Sequence, residues 1–250
     1  MHVLFSISVV FYVENMSAAK RIATIVVEPQ KRHTATLFFF HGSGDTANGI
    51  KDWLHSVLGK EFSFPHIKLV FTSAPPRPYT IYGGQLSTIW YDRFKFSPDV
   101  PEHIESLDYM CQQISSLIEE EVSNGTPQNR IAIGGISMGG GLALHLGYRF
   151  HQDVAGVFAL SSFLNKDSSV YQSIQDANTA GSVSSLPPLF ACHGKADPLV
   201  IYDWGKKYVD NFTAAGISTE FHSFPNLAHE MMEDELNLLQ DWVMKRLPDK

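Results

Sequence analysis

The sequence predicts an α/β fold in which a mostly parallel, doubly wound sheet is flanked by helices and forms a single domain. From about Arg21 onwards, short apolar segments of strand character alternate with segments of helical periodicity, which is typical of parallel strands joined by helical crossovers. The 250 residues are enough for one sizeable core and too few for two comfortable domains. No repeat or low-complexity tract interrupts the pattern, and no linker occurs beyond a polar segment at residues 165–185.

Seven segments rich in β-branched and aromatic residues predict the strands, because such side chains fit a pleated, buried surface. They cover residues 22–27, 36–40, 67–71, 131–133, 154–160, 189–192 and 217–224. Glycine or proline follows several of these segments and ends the strand, as Gly42 does after the second and Pro75 after the third.

Three segments of helical periodicity predict helices. The clearest covers residues 102–122, where apolar side chains recur at helical spacing at Ile104, Leu107, Cys111, Ile114, Ile118 and Val122. Its acidic start suits the helix dipole, and Gly125 marks its end. Residues 142–148 resume helical spacing, and an amphipathic helix over residues 232–247 is stopped by Pro248.

The net charge and the cysteine count limit the partners and the cellular compartment that we expect. A net charge of −7 argues against nucleic acid, whose binding requires concentrated Lys and Arg, and it gives no broad attraction to an anionic membrane surface. Cys111 and Cys192 are the two cysteines, which is too few for a secreted disulfide scaffold. We therefore expect reduced thiols and a cytoplasmic protein.

Residues 1–15 are expected to be an extension from an alternative start of translation, and residues 16–250 the folded domain. The apolar run at residues 3–13 is too short to span a bilayer, so no stable membrane span is predicted. The run resembles part of a secretory signal, and Asn15, Asn124 and Asn211 begin glycosylation sequons, but no Lys or Arg precedes it. Met16 begins a segment that resembles a second start site. Attachment to a membrane through residues 3–13 is the alternative.

A serine between two glycines follows the strand predicted at residues 131–133. Gly135-Ile136-Ser137-Met138-Gly139 matches Gly-x-Ser-x-Gly, and it lies between a strand and a helix, where α/β-hydrolases carry their nucleophile. The sharp turn forces strained backbone at Ser137, and side chains two residues to either side would collide, so glycine is needed there. The pattern predicts Ser137 as a nucleophile. The alternative is a glycine-rich turn with an ordinary serine.

A serine hydroxyl is a poor nucleophile until a base accepts its proton. In α/β-hydrolases the acid and the base follow the serine in the order Asp or Glu, then His. Asp197 follows the strand predicted at residues 189–192, where Pro198 restricts it to extended backbone, and His229 follows the last strand. Both lie at carboxyl ends of strands, where doubly wound sheets bind ligands. Ser137, Asp197 and His229 are therefore the predicted triad.

Other residues are rivals for the acid and the base. Asp167 and Asp176 lie in the polar segment, and Asp203 is expected on a helix. His222 lies within the last predicted strand, so its side chain points to a face of the sheet rather than to a site. Position in the fold and order along the chain favour Asp197 and His229.

The oxyanion of a tetrahedral intermediate needs N–H donors. One is expected to be the backbone N–H of Met138, directly after the nucleophile, and the other that of Ser43, in the glycine loop after an early strand. The alternative for the second segment is a plain turn. We expect no cofactor and no metal, because His229-Glu230-Met231-Met232-Glu233 lacks the second histidine of the zinc motif and no phosphate-binding glycine loop occurs.

At these residues the chain resembles the acyl-protein thioesterase / lysophospholipase family of small α/β-hydrolases. The resemblance extends from about Thr34 to Leu247. The segments that carry it are residues 41–45, 72–77, 90–92, 135–140, 158–164, His193-Gly194 with Asp197, and His229-Glu230. Ser43 and Met138 stand where typical members carry Leu and Gln, changes that leave the backbone N–H groups in place.

The resemblance implies the same triad, an eight-strand type of sheet without a large lid, and hydrolysis of acyl esters or of thioesters such as palmitoyl-cysteine. We expect a serine hydrolase that acts through an acyl-serine intermediate on a small acyl ester or an S-acylated protein. Trp90, Phe163, Leu164 and Leu199 are candidates for the acyl pocket. A catalytically silent acyl-binding or scaffold protein of the same fold is the alternative.

Overall fold

The computed structural model describes residues 22–250, so the expectations for residues 1–15 lie outside the described residues. Nine strands are found in that part of the chain. They are β1 (Ala23–Val27), β2 (Ala35–Phe40), β3 (Ile67–Ser73), β4 (Pro76–Tyr79), β5 (Gln85–Thr88), β6 (Ile131–Ile136), β7 (Gly156–Leu160), β8 (Leu189–Gly194) and β9 (Thr219–Phe224). Six α-helices accompany them over the same residues. They are α1 (Ala47–Leu58), α2 (Ile104–Ser123), α3 (Met138–His145), α4 (Ser169–Thr179), α5 (Tyr202–Ala214) and α6 (Glu233–Arg246).

Seven of these strands form one sheet in the order β1-β3-β2-β6-β7-β8-β9. β1 is antiparallel to β3, and every other neighbouring pair is parallel. The predicted mostly parallel sheet flanked by helices is confirmed. The resemblance implied an eight-strand type of sheet, whereas residues 22–250 contribute seven strands to it. β4 and β5 form a separate hairpin.

The two faces of the sheet bury two apolar layers. Along β2, Phe38 and Phe40 face one layer while Leu37 and Phe39 face the other, as the two-residue period of a strand requires. α2, α3, α4 and α5 contribute to the first layer, and α1 and α6 to the second. The parallel strands are therefore covered on both faces, and their carboxyl ends form one edge at which loops can meet.

Three local predictions were wrong or incomplete. β6 continues through Gly134 and Gly135, because β2 and β7 pair with both residues. α3 begins at Met138 rather than at Leu142, directly after the turn. The segment at residues 165–185 contains α4, whose buried face is formed by Val170, Ile174 and Ala177 at helical spacing.

The hairpin β4–β5 was not predicted either. Pro76 and Pro78 lie in β4 and argue against a strand, because proline cannot donate to a neighbouring strand. The hairpin tolerates them because it has two strands, so β4 pairs on one side only. Gly83 and Gly84, both with positive φ, form its turn.

One buried carboxyl group makes the stability of the fold depend on pH. Glu235 in α6 is 0% exposed, and burial raises its pKa to about 8, although the Met232 backbone and the Cys192 thiol act in the opposite direction. A carboxyl group with a raised pKa favours folding while it is protonated. Its contribution is complete below the ordinary value of 4.5 and is lost as the pH rises towards 8.

We therefore expect Glu235→Gln to gain stability relative to the wild type as the pH rises from about 5 to about 9, by a few kcal/mol over that range. Urea denaturation at several pH values measures the difference. Glu233→Gln, an exposed change in the same helix, is the matched control and should follow the wild-type pH profile because it keeps Glu235. A parallel pH profile for Glu235→Gln and the wild type would contradict the assignment.

Candidate active site

Ser137 occupies the sharp turn between β6 and α3. Its φ of 54° and ψ of −120° are uncommon for a residue with a Cβ atom and cost on the order of 1–3 kcal/mol. Two neighbours hold the turn: the Ser137 N–H donates to the Leu160 carbonyl at 2.8 Å, and the Ser162 hydroxyl donates to the Ser137 carbonyl at 2.8 Å. The surrounding backbone therefore fixes the conformation of this serine.

The two glycines of the motif allow the turn to touch the end of β2. A Cβ atom on Gly135 would lie 2.2 Å from the carbonyl oxygen of Phe40. A Cβ atom on Gly139 would lie 2.3 Å from the same oxygen and 2.5 Å from that of His41. These neighbours are backbone atoms, so no side-chain movement can relieve the contact. The predicted need for glycine is thus seen in the packing.

Asp197 and His229, which are 32 residues apart in the sequence, form a direct hydrogen bond. The Nδ1–H of His229 donates to Oδ2 of Asp197 at 2.7 Å. The other carboxylate oxygen, Oδ1, accepts the N–H groups of Leu199 at 2.8 Å and Val200 at 2.9 Å. The carboxylate is fully engaged at the carboxyl end of β8.

Two opposing effects act on the pKa of Asp197. Burial would raise it, but the hydrogen bond from His229 and the N–H groups of Leu199 and Val200 outweigh burial and hold the pKa below its ordinary value. Asp197 is therefore an ionised carboxylate at neutral pH, although it is 5% exposed. It can orient the His229 ring and stabilise a positive charge on it.

His193 supports the turn at residues 197–200 from behind. Its Nε2–H donates to the Val200 carbonyl at 2.8 Å and lies 3.7 Å from Oδ2 of Asp197. Burial lowers the pKa of His193, so this ring remains neutral. The turn that carries Asp197 is thus held through both its N–H groups and its carbonyl groups.

A cavity of about 210 Å³ brings Ser137 and His229 into one wall. Its lining residues are Gly42, Ser43, Asp45, Trp53, Tyr82, Ile136, Ser137, Leu199 and His229. The side chains of Ser137 and His229 share this space without a direct hydrogen bond, and catalytic hydrogen bonds often tighten only when substrate binds. The three residues predicted as a triad therefore meet at one edge of the sheet.

The two predicted oxyanion donors follow adjacent parallel strands. Ser43 follows β2 and lines the cavity, and Met138 follows β6 as the first residue of α3. A Cβ atom on Gly42 would lie 3.5 Å from Cβ of Ser137, so the two backbone segments are in van der Waals reach of each other. Their roles as donors stay a prediction.

The family model for phospholipases/carboxylesterases matches residues 22–247. The chain belongs to this family. It is 51% identical to lysophospholipase-like protein 1 of Mus musculus over 231 residues. The aligned residues are 92% of this chain and 95% of that relative. The chain is 32% identical to acyl-protein thioesterase 1 homolog 2 of Dictyostelium discoideum over 90% of the chain and 98% of that protein.

Solved structures give the same assignment. The crystal structure of Zea mays acyl-protein thioesterase 2 superposes with a TM-score of 0.78 at 28% identity, covering 90% of this chain and 99% of that one. The predicted α/β-hydrolase fold and the predicted family are confirmed, and membership of the family makes the chain a hydrolase of the esterase type. Among residues 22–250, no helix has both the length and the apolar character needed to cross a membrane.

The four predicted pocket residues are separated in the structure. Leu199 lines the cavity beside Ser137 and is 48% exposed. Trp90 is 0% exposed, and its Nε1–H donates to the His41 carbonyl at 2.8 Å, so it supports a loop and does not line that cavity. Phe163 is buried against Trp204, and Leu164 lines a different cavity of about 440 Å³. The sequence pattern could not separate core aromatic residues from pocket ones.

The rivals for the acid and the base lie elsewhere. Asp167, Asp176 and Asp203 are exposed and line no part of the 210 Å³ cavity. His222 lies in β9 and bonds to Glu220 at 2.9 Å. The cavity contains residues that sequence reasoning missed, notably Trp53 from α1 and Tyr82 from the β4–β5 turn. The Gly83-Gly84 pair was the available signal for that turn.

We expect Gly139→Ala to destabilise the fold by about 2–4 kcal/mol, because its new methyl group would meet two backbone carbonyl oxygens that cannot move independently. Urea denaturation measures the loss. Gly181→Ala, at an exposed turn with positive φ and open space around the Cβ position, should cost about 1 kcal/mol. Equal losses for the two variants would show that the contact with β2 is not limiting.

Proposed function

We propose that the chain hydrolyses acyl esters and thioesters with Ser137 as nucleophile, His229 as general base and Asp197 as the orienting carboxylate. The observation that carries this proposal is the 2.7 Å hydrogen bond between Asp197 and His229, with His229 and Ser137 in the wall of the same cavity. His229 uses Nδ1–H for this bond, which leaves Nε2 as the atom that can accept a proton.

In the first half of the reaction, Oγ of Ser137 attacks the acyl carbonyl carbon while its proton passes to Nε2 of His229. The carbonyl oxygen becomes an oxyanion, to which the N–H groups of Ser43 and Met138 donate. When the intermediate collapses, the bond to the leaving oxygen or sulfur breaks. That atom takes the proton from His229, and the acyl group remains on Ser137.

In the second half, water attacks the acyl-serine carbonyl and gives a proton to Nε2 of His229. Collapse of this second intermediate releases the carboxylic acid and returns the proton to Oγ of Ser137. Asp197 keeps its negative charge throughout and stabilises the imidazolium formed in each half. No metal or redox group takes part in these steps.

Both leaving groups are compatible with this scheme, because an alcohol or a thiol departs before water attacks and the acyl-enzyme is the same. Relatives named as thioesterases and as lysophospholipase-like support acyl substrates of both kinds. The exposed side chains of Tyr82 and Leu199 at the cavity leave room for a bulky leaving group, such as an S-acylated protein.

We also propose a cytoplasmic location. Cys111 and Cys192 are both free and buried, and burial raises the pKa of both thiols. Neither forms a disulfide, as expected for a protein kept under reducing conditions.

Ser137→Ala should lose labelling by a fluorophosphonate probe and lose at least about 10³-fold in kcat for p-nitrophenyl esters and for matched thioesters, because the hydroxyl that forms the proposed acyl-enzyme is removed. Gel fluorescence and steady-state kinetics measure the two effects. Ser116→Ala, an exposed change on α2, is the control. Equal labelling of Ser137→Ala and the wild type would reject the nucleophile. Absence of hydrolysis by the wild type across acyl lengths would favour the silent binding protein.

Asp197→Asn should lower kcat by about 10³–10⁴-fold, because an amide cannot stabilise the imidazolium and favours the wrong tautomer of His229. The comparison is Asp203→Asn, which removes an exposed carboxylate from the neighbouring helix α5 and should retain the wild-type rate. A similar small effect of both substitutions would remove Asp197 from the proposed mechanism.

A further inference from the structure

We call residues 41–45, which follow β2, the β2 loop. Its first residue, His41, has a buried side chain that has no role in the mechanism described above. His41 is 0% exposed, and three hydrogen bonds tie it to its surroundings. Its ring bonds to the Gly42 carbonyl at 2.5 Å and to the Ala74 N–H at 3.0 Å, and its own carbonyl accepts from Trp90 at 2.8 Å.

These partners fix which ring nitrogen carries the proton. The Ala74 N–H is a donor, so Nε2 of His41 accepts and is unprotonated. Nδ1 therefore carries the proton and donates to the Gly42 carbonyl oxygen. Burial lowers the pKa of His41, while the Gly42 carbonyl and the nearby charge of Asp45 act in the opposite direction. The neutral ring is thus the form that fits both partners.

The bond to Gly42 has a consequence for Ser43 because the two share one peptide group. A trans peptide is planar, and its C=O and N–H point in opposite directions. Holding the Gly42 carbonyl towards His41 therefore turns the Ser43 N–H away from His41. Gly42 and Ser43 both line the cavity with Ser137, so the orientation of their shared peptide decides whether the Ser43 N–H faces that cavity.

We infer that His41 is a positioning residue for the reaction: its Nδ1–H holds the Gly42–Ser43 peptide so that the Ser43 N–H points at the oxyanion. This inference rests on the proposed function. A second donor, the Asp45 N–H, reaches the same carbonyl at 3.3 Å, which is a longer and weaker bond than the one from His41. Trp90 packs on the ring with centroids 4.7 Å apart and holds the His41 backbone through its indole N–H.

Two substitutions separate the two ring bonds. In His41→Asn the amide nitrogen replaces Nδ1, so the bond to Gly42 can form while the bond to Ala74 is lost. In His41→Gln the amide oxygen can replace Nε2, so the bond to Ala74 can form while the bond to Gly42 is lost. If the Gly42 bond positions the donor, His41→Asn should keep kcat within about threefold of the wild type, and His41→Gln should lose about 10–100-fold with KM little changed.

The inhibition constant of a boronic acid, which forms a tetrahedral adduct with serine, is a second measurement. It should not change if His41 only stabilises the fold. In His41→Gln the inhibition constant should rise by about the factor by which kcat/KM falls, because adduct and transition state use the same donors. His66→Asn is the matched control. His66 is also 0% exposed and bonds to a backbone carbonyl, that of Leu247 at 2.7 Å. Unlike Gly42, the partner of His41, Leu247 does not line the cavity beside Ser137. His66→Asn should lose stability and keep kcat.

Melting temperatures of all three variants separate activity from folding. The inference is overturned if His41→Gln, correctly folded, keeps wild-type kcat, or if His41→Asn and His41→Gln lose activity equally. It is also overturned if affinity for the boronic acid does not change with kcat/KM. A different result would count against the proposed function itself: full activity of Ser137→Ala, whatever the His41 variants do.

Discussion

The site depends on how closely two backbone segments approach each other at the edge of the sheet. Gly135 and Gly139 lie against the carbonyl oxygens of Phe40 and His41, at distances that leave no space for a side-chain atom. Because β2 and β6 are adjacent parallel strands, this contact puts the serine turn and the β2 loop side by side. The proposed nucleophile, Ser137, and the proposed oxyanion donor, Ser43, are therefore positioned by the same packing.

Hydrogen bonds to a buried carboxylate also hold the site together. Asp197 is a buried charge, and such a charge is tolerated only with good hydrogen-bond partners. It has three, one from His229 and two from the backbone of its own turn. Two of the three donors thus come from residues that closely follow Asp197 in the chain. The third, His229, is brought to the carboxylate by the loop after β9. His193 and His41 repeat one pattern: each is a buried ring that fixes a loop carbonyl.

The type of fold and the location of the candidate site could be predicted from the sequence. Ser137, Asp197 and His229 each follow a predicted strand, which was enough to predict that they lie at one edge of the sheet, because parallel strands end at the same edge. Their roles as a triad stay a prediction. The pocket was not predictable in the same way. Trp90 and Leu199 are both large and apolar, and whether such a side chain enters the core or a cavity depends on distant contacts. Helix α4 was not predicted because only three of its residues, Val170, Ile174 and Ala177, are buried, and they lie within a polar segment.

The unusual backbone at Ser137 has a consequence for the enzyme as a whole. A residue other than glycine at φ 54° and ψ −120° leaves the native state less stable than a relaxed turn would. Stability of the fold and the proposed role of Ser137 as nucleophile are therefore opposed at this single position. Glycine would adopt this backbone at little steric cost, but it would remove the hydroxyl that the proposed mechanism needs, so selection for heat tolerance alone would oppose turnover.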